Sequence, residues 1–181
     1  MTQFTFLIAS ARPNGNSEQL ARLTAESIPD SNQQWLTLRD LPLDPFEDRR
    51  HGELSYDALK GNAEILLRAT IECDHLVFVT PVYWYSVPTP LKLYLDHWSH
   101  WMRVESLEFK ERMEGKSLWA ISSSAGRAED AEPMFESLKL CAKFMKMKWG
   151  GHVLGNGSAP GDVLNDEKAL SFAKRFFDGI C

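Results

Sequence analysis

The chain has 181 residues, 44% of them hydrophobic, a length and composition that suit one compact domain with a full core. A formal net charge of −5 and dispersed lysines and arginines argue against a general nucleic-acid binder, the one mixed patch being Lys139, Lys143, Lys146 and Lys148 on an expected helix. No apolar run reaches the roughly 18 residues of a membrane span, and the N-terminus enters a strand without the basic region or cleavage site of a signal peptide.

Residues 4–9, Phe4-Thr5-Phe6-Leu7-Ile8-Ala9, form an unbroken apolar run too short for a helix and rich in strand formers, as a central parallel strand requires. Ser10-Ala11-Arg12-Pro13-Asn14-Gly15-Asn16-Ser17 follows, a segment of small hydrogen-bonding residues with one cation. The spacing of Leu20, Ala21 and Leu23 then predicts a helix from Ser17 to about Ser27, with Ser17 as N-cap. Strand, tight polar loop and helix N-terminus make a geometry that binds anions, because free backbone N–H groups and the positive end of the helix dipole point into the loop. Ser10, Asn16 and Ser17 can add donors and Arg12 a charge, although an ordinary strand-to-helix turn has the same outline. The segment lacks both the lysine of a GxxxxGK[ST] loop and a GxGxxG fingerprint.

Residues 29–32, Pro-Asp-Ser-Asn, break the first helix, and 34–38 read as a short second strand. The connection 39–52 is polar, carries Pro42 and Pro45, and includes His51, read as a solvated histidine. Helical spacing of Leu59, Ala63, Leu66 and Leu67 predicts a helix over 56–69, weakened by Gly61. Residues 75–80 are a second continuous apolar strand. Two such strands joined through helices imply βαβ units and a parallel sheet.

That strand runs into Thr80-Pro81-Val82-Tyr83-Trp84-Tyr85-Ser86, a loop tip with three consecutive aromatics, and a helix opens near Thr89 with Thr89 as cap and Pro90 in its first turn. Exposed aromatics at a tip call for a flat partner, or for packing on the domain's own surface or at a subunit contact. Asp96, His97 and His100 have helical spacing, but a helix end with aromatic packing explains them better than a metal site. The apolar excess at Trp98, Trp101 and Met102 predicts a subunit interface.

Residues 116–122 form a fourth strand, leading into Ser122-Ser123-Ser124-Ala125-Gly126-Arg127, a further small-residue loop. A helix is expected over 131–147, with Met134, Leu138, Cys141, Ala142 and Met145 as a core stripe. A fifth strand is expected over 151–155 and a closing helix over 166–178, with Ala169, Leu170, Ala173, Phe176 and Phe177 facing inward. Cys73, Cys141 and Cys181 are odd in number and far apart, which suits reduced thiols in a cytoplasm and not a disulfide framework or a metal cluster. In an open parallel sheet the three unusual loops emerge at one rim, where ligands bind. A phosphate on the first loop and a flat ring between the second and third describe flavin mononucleotide, FMN.

Ala9-Ser10-Ala11-Arg12-Pro13-Asn14-Gly15-Asn16-Ser17 resembles the phosphate loop of the flavodoxin-like NAD(P)H-dependent FMN reductases, and Thr80-Pro81-Val82-Tyr83-Trp84-Tyr85-Ser86 with the following Pro-x-Pro-Leu-Lys resembles their flavin-ring loop. The resemblance spans most of the chain, with Ala9 in place of the usual glycine. It implies an α/β, flavodoxin-like three-layer sandwich over residues 1–181, with a five-stranded parallel sheet of order 2-1-3-4-5 and bound FMN. It places Ser10, Arg12, Asn16 and Ser17 on the phosphate, Pro81, Val82, Tyr83, Trp84, Tyr85 and Ser86 around the isoalloxazine, and Ser123, Ser124, Ala125 and Gly126 at the ring's other edge. The compact cysteine cluster of iron–sulfur relatives is missing, so no cluster is expected, and no metal and no catalytic side chain are nominated.

The function so implied is an FMN-dependent NAD(P)H oxidoreductase passing electrons to a small acceptor such as a quinone or flavin, in a cytoplasmic homodimer. The alternatives are a flavodoxin-type electron carrier serving a protein partner, and a protein that holds a phosphorylated ligand without turnover.

Overall fold

The computed structural model describes residues 2–49 and 59–180. Strands β1 (Phe4–Ile8), β2 (Gln33–Thr37), β3 (His75–Pro81), β4 (Ser117–Ser124) and β5 (Lys148–Asn156) make one sheet of order β2-β1-β3-β4-β5. Every pairing is parallel. This is the order expected. The connections carry α1 (Asn16–Thr24), α2 (Asn62–Glu72), α3 (Thr89–Trp101), α4 (Phe109–Met113) and α5 (Glu132–Phe144), and α6 (Glu167–Ala173) follows β5.

Successive side chains of a strand point to opposite faces, so a strand buried on both faces must be apolar throughout. Phe4, Phe6 and Ile8 accordingly join Val77, Val79, Trp119 and Ile121 beneath α1 and α6. Leu7, Leu76, Phe78, Leu118 and Ala120 meet α2, α3, α4 and α5 on the other face. Each large apolar side chain fully buried in these two layers contributes about 1.5–3 kcal/mol. The methionine stripe of α5 is core: Met134, Leu138, Ala142 and Met145 are buried.

Several element ends differ from expectation for local reasons. Gly15, not Ser17, is the N-cap of α1, and Pro88, not Thr89, that of α3. The helix expected over 56–69 starts at Asn62, after Gly61 turns the chain at φ 59. Residues 50–58, with His51 and Tyr56, lie outside the described residues, as does Cys181. β4 runs on to Ser124, taking in residues expected in the loop, and β5 extends from Lys148 to Asn156. A bulge inserts Gly150 between Trp149, which pairs with Leu118, and Gly151, which pairs with Trp119. A Cβ on Gly150 would lie 2.3 Å from the Trp119 indole, so this residue must be glycine for the ring to lie flat against the strand.

The interface expected at Trp98, Trp101 and Met102 is not what these residues form within the chain. Trp98 and Trp101 are 4% and 0% exposed. They pack edge-on against Phe109 of α4 at 5.8 and 5.2 Å, and Trp101 also meets Tyr94 at 5.5 Å. Helix α3 is covered by the sheet on one side and by α4 on another, so its aromatic excess is internal. Met102 stays half-buried beside them.

Candidate cofactor site

The site grows from the carboxyl end of β1. Gly15 caps α1 in an extended conformation and offers no side chain to its first turn. The first N–H groups of the helix therefore have no acceptor within it and face the loop with the positive end of the dipole. Asn14, left-handed at φ 52, bends the loop back, and its N–H donates to Glu18 Oε2 at 2.9 Å. Ser10, nearly buried, donates its hydroxyl to the Arg12 carbonyl at 2.9 Å. The exposed Arg12 guanidinium lies 3.4 Å from the Ser158 carbonyl.

Asn16 and Ser17, expected as side-chain donors, are turned into the protein. Asn16, 3% exposed, donates from Nδ2 to the Ala159 carbonyl and accepts the Gly161 N–H on Oδ1, both at 2.9 Å. Ser17 Oγ is 2.8 Å from Ser123 Oγ in a buried pair that ties α1 to β4. What both residues present to the loop is their backbone N–H.

The second loop leaves β3 at Pro81, and Val82 N–H donates to the Ser123 carbonyl at 3.0 Å. Tyr83 and Ser86 then exchange backbone hydrogen bonds of 2.9 and 3.0 Å around a two-residue turn. The central residues are Trp84 at φ 50 and Tyr85 at φ 62, both left-handed as in a type I′ turn. Non-glycine residues there cost about 1–2 kcal/mol each. The turn nevertheless carries large side chains into solvent, Trp84 being 93% and Tyr85 59% exposed. Strain and exposed aromatic area thus coincide at one tip.

The third loop holds Ser124, Ala125 and Gly126. Ser124 Oγ accepts the Gly126 N–H at 3.1 Å, and its carbonyl accepts the Gly157 N–H at 3.0 Å. That second bond brings in a fourth loop, which follows β5 and was missed from sequence. Gly157 and Ser158 line the cleft beside Arg12. A Cβ on Gly157 would sit 2.8 Å from Val163 N and 2.9 Å from Asn16 Nδ2, so glycine is required. The run Gly157-Ser158-Ala159-Pro160-Gly161 carries the same small-residue signal as the other loops, one turn beyond the expected strand end.

A cleft of about 140 Å³ lies among Ser10, Arg12, Ser17, Tyr83, Ser123 and Ser158. A second, of about 260 Å³, lies against Trp84, Tyr85, Gly126 and Asp130. Val82, Ser124 and Ala125 line both, so the two form one groove. Its narrow end holds helix N–H groups, hydroxyls and a cation. Its wide end is open and aromatic. The donor set fits a phosphate at one end and the open aromatic turn fits a flat ring at the other, as FMN demands.

Among the described residues, no three His, Cys, Asp or Glu side chains come together to hold a metal ion, and no helix is long and apolar enough to cross a membrane. His97 donates from Nε2 to the Asp44 carbonyl at 2.9 Å and packs on Phe46, so it anchors the 39–49 connection to α3. Cys73 is buried, and burial first of all pushes its thiol up to about 11, which keeps it protonated and unreactive.

Residues 2–176 match the model of the family described as the flavodoxin-like fold. The chain is 30% identical over 166 residues to a protein of Bacillus subtilis strain 168 provisionally named NAD(P)H-dependent FMN-containing oxidoreductase YwqN, covering 91% of this chain and 90% of the relative. It is 26% identical to the FMN-dependent NADH:quinone oxidoreductase of Bordetella parapertussis, covering 91% and 88%. Among solved structures it superposes on the Trp repressor binding protein of Bacillus subtilis with a TM-score of 0.80 at 25% identity, covering 98% and 99%. With the sheet order, the groove and the family match in agreement, the chain belongs to the flavodoxin-like fold family.

Proposed function

We infer that the protein is an FMN-dependent NAD(P)H oxidoreductase that delivers electrons to a small flat acceptor such as a quinone. The observation that carries this reading is the single groove, polar at the start of α1 and aromatic at the Tyr83–Ser86 turn. The names of the relatives support it, one for FMN and NAD(P)H and one for NADH and a quinone.

In this reading Ser10, Arg12 and the backbone N–H groups of Asn16 and Ser17 hold the phosphate. Pro81 to Ser86 and Ser123 to Gly126 flank the isoalloxazine. When bound, FMN supplies hydride acceptance and the transfer of electrons singly or in pairs, and the protein supplies position and electrostatics. Ser17 and Ser123 fix the spacing of the first and third loops through their shared hydroxyl bond. Trp84 and Tyr85 offer an exposed aromatic face on which a nicotinamide or acceptor ring stacks. No side chain of the groove is required as a general acid or base.

The chain acts as one FMN-binding domain in the cytoplasm, and a second copy is its further partner. The near-complete exposure of Trp84 supports that pairing, because a tip so apolar gains by being covered. The purified protein is expected to be yellow and to consume NADH or NADPH when a quinone is added. Absence of consumption with every acceptor, from protein loaded with FMN, refutes the assignment.

A further inference from the structure

Beyond the groove, a separate cleft of about 270 Å³ opens between the end of β5 and α6, bordered by Leu154, Asn156, Lys168 and Phe172. Ser124 and Gly126 line this cleft and also the aromatic end of the groove. The two spaces therefore adjoin at one short turn. A ligand with two heads on a flexible linker can occupy both. NAD(P)H has that form, a nicotinamide and an adenosine joined through a pyrophosphate.

The lining suits an adenosine. Phe172 is 50% exposed, with its ring packed edge-on to Phe176 at 5.6 Å, so broad aromatic area stays uncovered. Lys168 lies four residues earlier on the same face of α6 and also lines the cleft, the one basic residue among the described residues of its lining. Asp166, the acid in the same lining, accepts the Asn156 N–H on Oδ2 at 2.9 Å and the Ala169 N–H on Oδ1 at 3.0 Å, which turns its charge toward the chain. The volume falls below the roughly 300–1,000 Å³ of pockets that enclose a whole drug-sized ligand, so the cleft would take only part of a dinucleotide.

We propose that this cleft seats the adenosine half of the nicotinamide donor, with Phe172 stacked on the adenine and Lys168 beside the adjoining phosphate. The proposal rests on the oxidoreductase reading above. Adenosine 5′-monophosphate titrated calorimetrically into the FMN-loaded protein is expected to bind, and Phe172→Ala and Lys168→Glu each to weaken it, the former about tenfold, within what stacking on an aromatic ring provides. In turnover, Phe172→Ala raises KM about tenfold for whichever pyridine nucleotide the wild type oxidises. It leaves kcat unchanged, and also KM for reduced nicotinamide mononucleotide, which lacks the adenosine. Absence of nucleotide binding, or equal losses with both donors, overturns the proposal. Nucleotide binding that depends on Phe172 in a protein that oxidises no donor upholds the adenosine site and sinks the oxidoreductase reading instead.

Discussion

Replacing Asn16 by alanine separates two roles that its position allows. As a phosphate ligand, Asn16 would leave stability alone and weaken FMN. In the structure it is a buried clasp, with both ends of its amide engaged by the Ala159 carbonyl and the Gly161 N–H at 2.9 Å. A net hydrogen bond contributes about 0.5–1.5 kcal/mol, and a buried group left without its partner costs more. Gly161 is only half-buried, so water can reach part of the gap. Two bonds then give about 2 kcal/mol for Asn16→Ala. For a domain of this size that is a Tm lower by about 4–8 °C, or a urea midpoint lower by about 1 M. The assay is unfolding of the FMN-free protein by circular dichroism, with FMN affinity measured in parallel by flavin fluorescence. FMN binding should weaken only several-fold, through loosening of the Gly157–Ser158 wall. An unchanged midpoint with a tenfold or greater loss of FMN affinity refutes the clasp and restores Asn16 as a direct ligand.

Arg12→Ala should weaken FMN binding about tenfold, the low end for a charge-assisted hydrogen bond given how exposed this guanidinium is; undiminished affinity refutes its phosphate role. Gly157→Ala should destabilise the FMN-free protein by about 1–3 kcal/mol in urea unfolding, because its Cβ would press on Val163 N and Asn16 Nδ2; a neutral result would mean that the fourth loop yields freely. Burial, before any charge effect, holds His75 and His152 below the ordinary imidazole value. Their unfolded forms take up protons as pH falls past about 6.5 while the native state resists, so stability declines on acidification. His75→Gln, which keeps an acceptor for the Trp119 Nε1–H now 3.1 Å from Nδ1, should make the fall in unfolding midpoint between about pH 7 and 5.5 shallower; an identical slope refutes this.

The sheet was legible because β1 and β3 are nearly continuous apolar runs, broken only by Thr5 in the one and by His75 and Thr80 in the other, a pattern that burial on both faces explains. Three of the four groove loops stood out for the same reason in reverse, as small polar or aromatic residues placed where such strands stop. The caps were harder to read. Whether Gly15 or Ser17 opens α1 depends on backbone angles two residues apart, and both residues are common at that position. β5 was expected to begin at Gly151, whereas it begins at Lys148 and carries Gly150 in a bulge that seats the Trp119 ring. The fourth loop was lost with that strand's true end. Trp98 and Trp101 were misread because one helix's pattern cannot disclose that α4 lies across it. The engagement of the Asn16 and Ser17 side chains depends on partners 143 and 106 residues away, which no local motif records.

The bulge in β5 reaches past the domain itself. β5 is the outermost strand on its side of the sheet, and an outer strand with regular spacing invites another chain to pair with it. The extra residue at Gly150, with Gly151 turned to φ 137, breaks the even ladder of outward N–H and C=O groups, and Lys148 sets a charge at its start. Another strand laid alongside would lose its even spacing where the bulge interrupts the first part of β5. An irregular outer border of this kind is a poor template for edge-to-edge pairing between copies of the chain.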